Sequence, residues 1–112
     1  MNIKYRTYFI EQVSNTDVDT GTETVDTFAD TAADGAKWNY SVKKGANYRT
    51  GTMIAAWDAA GNTVAYSEDS TEDVGATIDM ALTVDINSDM VRFLATAASD
   101  DWSVTASRML LG

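Results

Sequence analysis

Apolar and polar residues alternate along most of this chain with a period of two. The clearest run is Thr77 to Ile86, where Ile78, Met80, Leu82, Val84 and Ile86 interleave with Thr77, Asp79, Ala81, Thr83 and Asp85. Successive side chains of a strand point to opposite faces, so this pattern predicts one buried and one wet face. On a helix the same five apolar residues would scatter around the circumference. Val91, Phe93 and Ala95 repeat the pattern, as do Trp102, Val104 and Ala106 opposite Ser103, Thr105 and Ser107. Trp38, Tyr40 and Val42 form another such face, and Met53, Ala55 and Trp57 a further one.

Between these runs lie residues suited to turns: Lys44-Gly45-Ala46-Asn47, Ala59-Ala60-Gly61-Asn62, Asn87-Ser88-Asp89 and Ser99-Asp100-Asp101. Gly and Asn tolerate positive φ, and Asp, Asn and Ser side chains hydrogen-bond the local backbone. Strands are expected near 3–12, 22–29, 36–43, 50–57, 62–67, 77–86, 90–97 and 102–111. The Ala-rich stretch Asp26 to Gly35 also suits a short helix with Phe28, Ala29, Ala32 and Ala33 on one side. Short strands at this spacing predict an all-β fold, a β-sandwich or jelly roll of about eight antiparallel strands.

The length of 112 residues fits a single domain. Three Trp among the aromatic residues supply large pieces for a core. The chain has no Cys and no His. Disulfides, thiolate and imidazole metal ligands, and the commonest nucleophile–base pairs are therefore excluded. This inventory argues against an enzyme, and no cofactor is expected. The net charge of −9 repels phosphate backbones and anionic lipid, so neither nucleic acid nor membrane is an expected partner. Met1 to Arg6 lacks the apolar stretch of a signal peptide, which points to synthesis in the cytoplasm.

From Val25 onward the order of elements is distinctive. Val25-Asp26-Thr27-Phe28 is followed by Gly35-Ala36-Lys37-Trp38, then by Val42-Lys43-Lys44-Gly45-Ala46-Asn47-Tyr48-Arg49. Thr52-Met53-Ile54-Ala55-Ala56-Trp57-Asp58 and the acidic stretch Glu68 to Asp73 come next. The chain closes with Val84-Asp85-Ile86, Val91-Arg92-Phe93-Leu94-Ala95-Thr96 and Trp102-Ser103-Val104-Thr105-Ala106-Ser107-Arg108. This series resembles a β-rich module of tailed-bacteriophage virion proteins, found in tail-fibre-like and other particle-surface proteins. The resemblance implies a structural or attachment role in the virion, after synthesis in the host bacterial cytoplasm. It implies a homo-oligomer, a trimer, partnered by virion proteins such as the major capsid protein. It brings no catalytic residues. A capsid decoration or cement protein, a tail-fibre or spike module, and a carbohydrate-binding module are the readings in competition.

Five groups of residues are candidates for a role. Asn15-Thr16-Asp17-Val18-Asp19-Thr20-Gly21, with Glu23 and Asp26, echoes a calcium loop. Its glycine stands one place late and Asp26 replaces the bidentate Glu, so a polar turn is the expectation and no metal is assigned. Glu68-Asp69-Ser70-Thr71-Glu72-Asp73 reads as a wet acidic loop rather than a glycosidase pair, because a general acid needs burial. Lys37, Lys43, Lys44 and Arg49 hold half of the eight basic residues and suggest an interface for an acidic surface such as Glu68, Asp69, Glu72 and Asp73 of a neighbouring subunit. Trp38, Trp57 and Trp102 lie in alternating strands and are expected in the core rather than in a sugar cleft. Finally, Met1 to Gln12 is a candidate attachment strand. Lys4, Arg6 and Tyr8 lie on one side of it and Ile3, Tyr5 and Phe9 on the other, suited to pairing with a neighbour's sheet edge.

Overall fold

A computed structural model describes residues 10–112. The strands are β1 (Ile10–Val18), β2 (Gly21–Ala29), β3 (Gly35–Lys44), β4 (Asn47–Asp58), β5 (Thr63–Ser70), β6 (Met80–Asn87), β7 (Met90–Ala97) and β8 (Trp102–Leu111). They form two antiparallel sheets, a five-stranded one ordered β1-β8-β3-β4-β5 and a three-stranded one ordered β2-β7-β6. The all-β fold with eight antiparallel strands agrees with the alternation in the sequence. No helix forms among the described residues, so the Ala-rich stretch after Asp26 completes β2 and turns. The part of the expected first strand before Ile10 lies outside the described residues.

The inner faces of the two sheets meet through the predicted residues. Trp38, Tyr40 and Val42 of β3 and Val104 and Ala106 of β8 face Leu82 and Val84 of β6 and Val91, Phe93 and Ala95 of β7. Trp38 packs on Phe93 at 4.9 Å between ring centroids, and Phe28 lies 6.2 Å from Trp38 and 5.5 Å from Trp57. Tilted aromatic pairs at these separations are favourable beyond the area they bury. Trp38 and Trp102 are buried and Trp57 is half-buried against the core, as expected for packing residues.

Two turns fix register as their residues require. Asn87 pairs with Met90 across Ser88 and Asp89, whose φ angles of 52° and 64° give a type I′ hairpin. Lys44 pairs with Asn47 across Gly45, whose φ of 58° supplies the first central position of a II′ turn.

Three expectations are corrected. Ile78 is 91% exposed and precedes β6, which starts at Met80. The segment is held instead by Thr77, whose carbonyl accepts the Met80 N–H, so the alternation begins two residues later than the sequence suggests. Asn15 to Val18 belongs to β1 rather than to a loop. Between Asn15 and Val18 that strand advances three residues against two on β8, a β-bulge that turns Val18 into the core. Asp26, grouped by its spacing with the calcium-like series, is only 7% exposed and takes no part in that loop.

Candidate functional site

The burial of Asp26 follows from a second bulge. The register of β2 against β7 shifts between Thr24 and Asp26, and Val25 and Asp26 are both buried. The bulge exchanges the faces of the strand, so an acid expected outside points between the sheets. There its Oδ2 accepts the Trp38 indole N–H at 2.9 Å, and both its oxygens accept from Arg108 Nη1, at 2.9 and 3.1 Å. Arg108 Nη2 donates to Glu11 at 2.8 Å, and its guanidinium lies 5.0 Å over the Phe28 ring. One buried ion pair thus ties β2 of one sheet to β3 and β8 of the other.

A second polar tie closes the opposite side of the core. Arg49 of β4 is buried, and its Nη1 donates to the Thr77 carbonyl at 3.2 Å, the Thr77 hydroxyl at 2.8 Å and the Met80 carbonyl at 3.1 Å. Its Nη2 reaches Glu68 of β5 at 3.4 Å. The Tyr40 hydroxyl also donates to Glu68. Burial and the Glu68 carboxylate push the Tyr40 phenol above its ordinary pKa. Gly51 makes this contact possible, since a Cβ there would lie 2.6 Å from the Tyr40 hydroxyl. Arg49 therefore leaves the proposed basic interface and becomes a core residue. Its acidic partner, Glu68, belongs to the same chain.

The rest of that interface is dispersed. Lys43 is exposed, while Lys44 is half-buried with its ammonium 5.8 Å over the Trp102 ring. Asp69 lies opposite Thr52 on the outer face of the five-stranded sheet, and Glu72 is exposed. Asp73 holds the loop before β6: its carboxylate accepts the Thr77 hydroxyl and the Thr77 N–H. Those two bonds hold its carboxyl below the usual pKa. A depressed carboxylate supports the fold above its unfolded pKa and loses that support as pH falls through the folded value. The Thr77 amide resonance should therefore titrate in acid with a midpoint below that of an ordinary Asp. An ordinary midpoint would show that the contact is absent in solution. Lys4, Arg6 and Tyr8 lie outside the described residues.

Of the calcium-like series, Asn15, Asp17, Asp19 and Glu23 gather through local polar contacts, while Asp26 does not join them. Asn15 donates to Glu23 at 3.3 Å and to the Thr24 carbonyl at 3.2 Å, Glu23 accepts the Asp19 N–H at 2.6 Å, and Asp26 is in the core. Asp17 and Asp19 instead meet Asp101 from the turn before β8, their carboxylate oxygens within 4.8 Å of one another. The neighbouring charge of Asp19, more than any other cause, raises the Asp17 pKa. Sequence spacing missed Asp101 because the contact joins turns more than eighty positions apart, held by Asp100 accepting from the Thr20 N–H at 2.9 Å.

The outer face of the five-stranded sheet carries an open groove of about 670 Å³. The register aligns Gln12, Ser107, Asn39, Thr52 and Asp69 in a row across the strands. Ser14, Thr105, Ser41 and Thr50 form the row beside it. Within the first row Gln12 donates to Ser107 at 2.8 Å and Thr52 to Asn39 at 3.0 Å. This surface offers many neutral donors and acceptors and little charge. Compared with known proteins, the chain matches no family model and no curated protein.

Proposed function

We propose that this chain is a structural protein of a bacteriophage virion, a capsid decoration or cement protein on the particle exterior. In this reading it works as a homotrimer seated on the major capsid protein. The observation that carries it is the contrast between the two sides of the sandwich. On one side the edge strands β1 and β2 each contain a bulge, a device that spoils strand addition. On the other side β5 and β6 pair with their neighbours in unbroken register. Edges without a bulge suit burial between subunits. The order of sequence elements from Val25 onward adds the phage context.

Two experiments test the proposal. Sedimentation equilibrium should give a trimer mass, and antibody labelling of intact particles should decorate heads. Label confined to tails would move the protein to the tail-fibre or spike alternative, and unlabelled particles would overturn the virion reading. A carbohydrate-binding module is the rival of another class, and the hydroxyl- and amide-rich groove is the observation in its favour. Retention on a neutral glycan column, lost on Asn39→Ala and Thr52→Ala, would support that rival.

A further inference from the structure

The outer face of the five-stranded sheet changes character along its length. Its middle carries the two polar rows that run from Gln12 to Asp69 and from Ser14 to Thr50. Towards the start of β1, the register sets Ile10, Met109, Lys37, Ile54 and Ser67 in one row and Leu111, Gly35, Ala56 and Ala65 in the next. Ile10 is 64% exposed, Ile54 48% and Leu111 37%, and Ala56 and Ala65 are exposed beside them. Lys37 is the one charged residue in these two rows, and its methylene stem adds to the apolar surface. A contiguous apolar patch on a face that is otherwise polar marks a surface to be covered. None of the described residues covers it.

The chain itself contains a matching cover. β1 enters the sheet at Ile10, a corner of the patch, and Met1-Asn2-Ile3-Lys4-Tyr5-Arg6-Thr7-Tyr8-Phe9 precedes it. A segment of this length reaches about 30 Å when extended. The sheet from β1 to β5 is only about 19 Å wide at the usual strand spacing. Met1, Ile3, Tyr5, Tyr8 and Phe9 supply apolar and aromatic surface, and the segment holds two cations and no acid in a chain of net charge −9. At the rim of the patch stand Asp34, just before Gly35, and Asp58, at the end of β4. Both are exposed, and neither has an ion-pair partner among the described residues. Tethering at the edge of the patch gives the segment an effective concentration of about millimolar there, which favours its own sheet over a neighbour's. We infer that Met1 to Phe9 folds back over the apolar rows of its own sheet, with its apolar side chains against Ile54, Ala56 and Leu111 and with Lys4 and Arg6 at the acidic rim of Asp34 and Asp58. The inference does not depend on the virion reading.

The chain has no Cys, so Asn2→Cys attaches a single nitroxide to the full protein. Amide spectra of the ¹⁵N-labelled chain should show strong paramagnetic broadening at Ile54, Ala56 and Ala65, removed when ascorbate reduces the nitroxide. Ala29 and Met90, at the same end of the molecule but on the other sheet, should broaden far less. Ile54→Lys places a like charge in the exposed patch and should keep the fold while cutting the broadening at Ala65 severalfold. Ala56→Lys is the second variant, on the neighbouring row, with the same expected result. Equal broadening of the two sheets would overturn the inference, because an undocked segment samples both. Broadening of equal strength in a ¹⁵N chain without nitroxide, mixed with an unlabelled nitroxide-bearing chain, would also overturn it by placing the segment on a neighbour. So would folded Ile54→Lys and Ala56→Lys proteins that broaden like the parent.

Discussion

Asp26→Ala is expected to destabilise the protein by about 3–5 kcal/mol, the usual result of removing one partner of a buried ion pair. The substitution leaves the Arg108 guanidinium, itself 8% exposed, with Glu11 as its remaining carboxylate. It also strips the Trp38 indole N–H of its acceptor at the centre of the core. Arg108→Met in the same chain should recover much of the loss, because the uncompensated charge is then gone. Urea unfolding of the two single variants and the double variant measures the coupling. Additive losses would mean that Asp26 and Arg108 act independently, against the geometry that joins them at 2.9 Å.

Leu82→Ala should cost about 2–5 kcal/mol, the range for truncating a buried aliphatic side chain. Leu82 is 5% exposed on the face of β6 that meets the five-stranded sheet. Ile78→Ala, four residues earlier on the same sequence pattern, should fall within about 0.5 kcal/mol. Asp85→Ala should also be mild, since Asp85 meets Arg92 at the surface with its Nε donor at 2.8 Å. Thermal melts of the three variants rank them directly. Comparable losses at Ile78 and Leu82 would show that β6 begins earlier and that Ile78 is covered in solution.

The alternation of Met80 to Ile86, Val91 to Ala95 and Trp102 to Ala106 determined the strands, their buried faces and the all-β class. A strand's side-chain direction is a local property with period two, so it is legible wherever the backbone stays regular. Turn chemistry was legible for the same reason, since positive φ at Gly45 and at Ser88-Asp89 is a demand on single residues. What the tertiary structure decided was everything that breaks the period or joins distant positions. The bulge that faces Asp26 inward is accepted because Arg108 and the Trp38 indole wait there, 82 and 12 positions away. Arg49 looked like one cation of a basic surface, and only the pairing of β4 with β5 and the fold of the loop at Thr77 made it a core residue. Asp101 joined Asp17 and Asp19 through a contact between segments more than eighty positions apart. Hydrophobic periodicity carries no information about such polar partners, because their geometry exists only once the two sheets have packed.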